Sequence, residues 1–200
     1  MSIDVTEALP PRAAALSERL LAPLGRRWRH VEGVARRAGS LFSLASAEER
    51  PAVVTAAWLH DVGYAPAIVV TGLHPLDGAR YLRSEGWPEL VVCLVAHHTG
   101  AEVEAEERGL SRELGEFDRP PEPLLDLVTT ADLTTSPDGV EVDASLRLAE
   151  ILGRYPPDDP VYRAVMRSGP SLLAAADRVS RRLWQEHLSL SDVGLPDRPG

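Results

Sequence analysis

Three apolar stripes in this chain, each spaced for one face of a helix, run out into a side chain that ligates metals. Val53, Ala56 and Ala57 are continued by His60, Val91, Leu94 and Val95 by His98, and Leu125, Val128 and Thr129 by Asp132. Residues at i, i+3, i+4 and i+7 share a helical face. Each polar group therefore falls at the C-terminal end of an inward-facing stripe. A buried carboxylate is costly unless it is paired or bound to metal, so a fold that buries these stripes must bring their ends together. One histidine on an apolar face is most often a packed core or capping residue. Here five of the six histidines, His30, His60, His74, His97 and His98, join Asp61 and Asp132 in one set. Packing alone does not explain that conjunction, and imidazole with carboxylate suits a divalent transition metal.

The remainder of the chain is written for helices. Aromatics are only 5% of the residues, whereas alanine, leucine and arginine abound, which favours helix over strand. The patterns predict helices over 13–24, 27–44, 46–61, 75–85, 88–98, 101–107, 124–133, 142–152, 161–167 and 171–187. Ser46 and Glu49 form a capping box for the third, and Gly63 reads as the C′ residue that closes it. Residues 68–71 have strand propensity but no partner, and read as loop or a helical turn. The expectation is an all-α protein: a single helical bundle over 26–188, preceded by a helical extension over 1–25 and followed by a flexible tail over 189–200.

A formal charge of −9 argues against a binder of polymeric nucleic acid. It leaves room for a small anion, because Arg26, Arg27 and Arg29, followed by Arg36 and Arg37, make a local basic patch beside His30. The acidic run Glu102, Glu104, Glu106 and Glu107 reads as a solvated face, from which one member can turn to the site. The lone Cys93 excludes a disulfide within the chain. No signal-peptide pattern and no membrane-length apolar run occur, so a cytoplasmic protein without a membrane partner is expected. Phosphate-binding loops, dinucleotide fingerprints and nucleophile elbows are absent.

His30, the pair His60-Asp61 and Asp132, in that order on separate helices, resemble the metal signature of the HD-domain superfamily of metal-dependent phosphohydrolases. His60-Asp61-Val62-Gly63 is similar to its HDIG variant. The phrases Ala57 to Tyr64, His74 to Ala79 and Thr130 to Leu133 strengthen the likeness, which spans roughly residues 26–165. The resemblance implies an HD-domain-like bundle in which those four residues hold one divalent ion. It implies a second ion at Asp61, His74 and His97 or His98, with Asp61 shared. His74 and His97-His98-Thr99-Gly100 are spaced as in the symmetrical diadenosine tetraphosphate hydrolases, from which the acidic segment after Gly100 departs. The Glu-Asp pair of the guanosine-tetraphosphate hydrolases and the motif of the cyclic-di-GMP phosphodiesterases are missing.

The implied activity is hydrolysis of a nucleotide or other small phosphate ester, with one or two ions of Mn, Fe, Co, Ni or Mg activating water. Asp61 is the central catalytic carboxylate, and Asp77 is a partner for His74 or a proton shuttle. Arg26, Arg29 and Arg37 are expected to hold phosphate oxygens, with Arg27 and Arg36 as alternatives and Arg26 and Arg37 nearest the His30 face. Two other readings share these ligands: a mixed-valent di-iron oxygenase of the same fold, and a non-catalytic module that binds metal or nucleotide.

Overall fold

A computed structural model describes residues 9–192. Its helices are α1 (Leu9–Leu21), α2 (Arg26–Ser40), α3 (Arg50–Leu59), α4 (His74–Ser84), α5 (Glu89–His97), α6 (Ala101–Arg108), α7 (Ser111–Leu114), α8 (Glu122–Leu133), α9 (Ala144–Leu152) and α10 (Pro160–Asp192). Among the described residues the only extended pairing is an isolated bridge, Thr135 to Glu141. The fold is all-α, as the periodicity predicts. No described helix is long and apolar enough to cross a membrane.

The middle of the bundle is α3, α5 and α8, the helices apolar on more than one face. Ala52, Val53, Ala56, Ala57 and Leu59 of α3 are buried, as are residues 91–96 of α5 and most of α8. A helix that is apolar all round belongs inside, and these three pack on one another with α2 closing a fourth side. Trp28 of α2 stacks on Trp58 of α3. The capping box forms: Glu49 N–H donates to Ser46 Oγ, and Ser46 N–H to the Glu49 carboxylate.

Three departures from the sequence reading bear on how the bundle is built. Helix α1 packs against α3, and Leu9, Ala13, Leu16 and Leu21 share the main core, so residues 9–21 are part of the bundle. Residues 161–167 and 171–187 are one helix that carries Pro170 inside it. Proline removes one backbone donor and crowds the preceding turn; here packing of α10 on α6, α8 and α9 holds the helix through it. Arg178 of α10 clamps Asp126 of α8 through two contacts of 2.7 Å. The segment read as a flexible tail continues α10 to Asp192, and 193–200, like 1–8, lie outside the described residues.

Glycine decides one close approach. A Cβ on Gly33 of α2 would lie 2.6 Å from Gly139 Cα, and one on Gly139 would lie 2.3 Å from Arg29 O. The turn after α8 thus lies directly on α2, which fixes its Ser136 carbonyl beside His30.

Candidate metal centre

The three stripes deliver their polar ends to one place. His60 follows α3, His98 follows α5, Asp132 sits in the last turn of α8, and His30 faces them from α2. His74 opens α4. One ligating atom each from His30, His60 and Asp132 lies within 4.8 Å of the others, and the same holds for His60, Asp61 and His98. His30, His60, Asp61 and His98 are at most 2% exposed.

The backbone sets the imidazole tautomers. Nδ1 of His30 faces Ser136 O at 3.1 Å, that of His60 faces Ala57 O at 2.8 Å, and that of His98 faces Val95 O at 2.7 Å. A carbonyl only accepts, so each Nδ1 carries the proton and donates, leaving the Nε2 lone pair to point inward. That is the orientation a metal-ligating histidine needs. His60 Nε2 is buried with no hydrogen-bond partner, and His74 Nε2 faces His98 Nε2 at 3.2 Å. A buried ring nitrogen without a partner, and two ring nitrogens nose to nose, are costly when left so. Both fit a cation among these atoms.

Asp61 faces two groups. Its Oδ2 lies 3.4 Å from His60 Nε2 and 3.9 Å from His30 Nε2, and its Oδ1 lies 3.4 Å from His74 Nε2. Arg27 Nη1 also donates to Oδ2, at 2.7 Å. Asp132 Oδ1 sits 2.9 Å from His30 Nε2, while Oδ2 accepts from Thr99 Oγ1 at 2.5 Å. Thr99 is the one described non-glycine residue with positive φ, 46°. Strain of this kind persists where the surroundings over-determine it, and here its hydroxyl orients a carboxylate. Tyr64 stacks on His74 with centroids 4.1 Å apart, and the Arg27 guanidinium covers the ring's other face at 3.9 Å.

Burial works against charge on every group here, and neighbours decide which groups keep it. Desolvation opposes ionisation of Asp61, but Arg27 and His60 outweigh it and hold the carboxyl well below its usual range. Desolvation pulls His60 down, yet Asp61 and Asp132 raise it to about 9. Burial keeps His74 and His98 below the ordinary imidazole value. A raised His60 stabilises the metal-free fold fully below its ordinary 6.5, and that contribution is lost as pH rises through about 9. A metal must displace the same proton, so metal affinity should climb across this interval. Competition titrations with a chromophoric chelator would measure it, and a flat profile would show that His60 is not a ligand.

His97 is not in the centre. Its Nδ1 faces Glu102 at 3.1 Å and its Nε2 faces Phe117 O at 3.0 Å. The α5 stripe passes through His98, and a neighbour one position back points elsewhere. His98→Ala should therefore lower bound metal measured by elemental analysis, while His97→Ala should leave it unchanged. Equal losses would contradict this placement. Asp77 is also elsewhere in role: its carboxylate accepts the backbone N–H groups of Val70, Thr71 and Gly72 at 2.9–3.1 Å, pinning the 70–72 loop, and no contact ties it to His74.

The arginines fall on two faces of α2. Arg26 and Arg29 bind Asp138, and Arg37 binds Thr134 and Glu141, so these three face the turn that Gly33 touches. The expectation that they line the site is corrected for Arg29 and Arg37, whereas Arg26 also lines a smaller cavity beside Arg27 and His30. Arg27 lines it, because it lies four and seven residues before Val31 and Val34 and continues the apolar stripe. Of the acidic run, Glu102 pairs with His97 and Arg119, Glu106 with Arg167, and Glu107 with Arg163 and Arg167. Glu104 pairs with Arg108 and lines the cleft, where burial pushes its carboxyl up.

The cleft over the centre has a cavity volume of about 100 Å³ and opens to solvent at its mouth. Its wall carries Arg147, Arg154 and Tyr155, none of which the sequence reading singles out. A family model described as HD domain matches residues 27–136, a span that holds every residue of the centre. No curated protein and no solved structure matches the chain.

Proposed function

The chain belongs to the HD-domain family, and on that footing we propose that it is a metal-dependent phosphohydrolase acting on a nucleotide or other small phosphate ester in the cytoplasm. The observation that carries the reading is Asp61, whose two oxygens face two separate sets of imidazole nitrogens. His30, His60, Asp61 and Asp132 would hold one divalent ion, and Asp61, His74 and His98 a second. Bound there, such ions supply a water acidic enough to act as hydroxide near neutral pH and a positive field for phosphoryl oxygens.

The protein's own groups do the rest. Arg27 has guanidinium nitrogens beyond its contact with Asp61 and lines the cleft, so it offers a phosphate oxygen a charged donor. Tyr64 stacks on the His74 ring and holds its plane, and both line the cleft. Glu104 lines the cleft beside these groups, its carboxyl pushed up by burial and held by Arg108 at 2.7 Å. A cleft lined by arginines in an otherwise strongly acidic protein favours an anionic substrate over a neutral one.

The test is elemental analysis of freshly purified protein, then a panel of phosphate esters assayed with Mn²⁺, Co²⁺, Ni²⁺, Mg²⁺ and Fe²⁺ added separately. Metal-dependent, chelator-sensitive phosphate release is the expected result. Stoichiometric iron with a mixed-valent paramagnetic signal, oxygen consumption and no phosphate release would assign the centre to oxygenase chemistry instead.

A further inference from the structure

Helix α9 lies beyond the span that the family model matches, and it presents a buried cation to the cleft. Arg147 is 6% exposed and lines both the main cleft and a smaller cavity between α9 and the start of α2. Its Nη1 contacts Glu150, but its Nε is buried with no partner. Arg154, in the turn that follows α9, lines the same two cavities and pairs with the same Glu150, Nε to Oε1 at 2.9 Å. Two guanidinium groups thus share one carboxylate, which itself is 41% exposed. A buried guanidinium with an idle N–H costs free energy unless an acceptor reaches it. Arg27 and His30 line both cavities too, so this positive wall meets the metal centre across the cleft. Beside the arginines the wall is apolar, with Leu148, Ile151, Val165 and Leu172.

We propose that Arg147 and Arg154 form an anion subsite distinct from the metal centre, which binds a second oxyanion of the substrate, one that is not cleaved. The substrate class is then a phosphate ester that carries a further phosphate or carboxylate, with an apolar part against α9. Guanidinium suits this task, because its planar fork matches an oxyanion in two places. The assignment of that oxyanion to the substrate rests on the hydrolase reading above; the existence of the subsite does not.

The experiment uses the full chain freed of metal and dialysed from chelator, so that phosphate cannot bind through an ion. Inorganic pyrophosphate is titrated by calorimetry and by its effect on Tm. Wild type is expected to bind one pyrophosphate, Arg147→Met to bind it at least about tenfold more weakly, a difference of about 1.4 kcal/mol, and Arg154→Met to weaken it severalfold. Arg83→Gln, which removes a surface cation on α4, should leave binding unchanged. Should Arg147→Met fail to fold, Arg154→Met, whose side chain is 37% exposed, decides the matter. No heat and no Tm shift at millimolar pyrophosphate in wild type, or folded variants that bind like wild type, would overturn the subsite. Pyrophosphate binding in a protein without any phosphatase activity would instead sink the hydrolase reading and leave the subsite standing.

Discussion

Asp61→Asn is expected to remove at least about 10³ of kcat/KM on the best substrate, a barrier increase of about 4 kcal/mol, and to lower the metal bound per chain. The carboxylate is the one group placed against both imidazole sets, so its loss weakens both metal positions at once. The expected cost exceeds that of any single arginine substitution. The fold should survive. Breaking a buried ion pair is costly when the surviving charge stays buried, but the partner here, Arg27, has a side chain 26% exposed and can turn its head to water. Circular dichroism and Tm in the metal-free state check the fold, while elemental analysis and steady-state kinetics check the rest. Activity within tenfold of wild type, with metal retained, would remove Asp61 from the centre of the mechanism.

The parts of this site that sequence made legible are those set by helical phase. His60, His98 and Asp132 each continue an apolar stripe, and burying the stripes brings them together. The same rule, applied to α2 from Val31 and Val34, selects Arg27; taking phase from His30 alone pointed to Arg26 and Arg37, which face the turn at 134–141. His97 and His98 could not be separated by spacing to a neighbouring element, but the α5 stripe distinguishes them. Phase says nothing about tertiary partners, so Asp77 as a loop anchor, Thr99 as the orienter of Asp132, and Arg147 at the cleft wall have no signature in a single chain. Pro170 misled for a related reason: the local rule that breaks a helix there is weaker than the packing of α10 against three other helices.

Gly63→Ala is expected to destabilise the protein by about 3 kcal/mol, at the upper end of overpacking costs, and to lower Tm by roughly 6–12 °C for a chain of this size. The reason is not the one its place after a helix suggests. Gly63 lies within a 3-10 turn over Val62–Tyr64 and is not among the positive-φ glycines, so it is no left-handed cap. A Cβ there would lie 2.0 Å from the carbonyl oxygen of His74 and 2.8 Å from Gly78 N. All the obstructing atoms are backbone, so no side chain can rotate away, and the first turn of α4 must retreat. That turn carries His74, so the substitution should also displace the ring from Asp61 and His98 and lose metal at that position. Gly39→Ala is the matched control: nothing lies within 4 Å of its added Cβ, and alanine in a helix gains roughly 0.5–1 kcal/mol over glycine. If the two variants melt together and bind equal metal, the close crossing of this turn over α4 does not position His74.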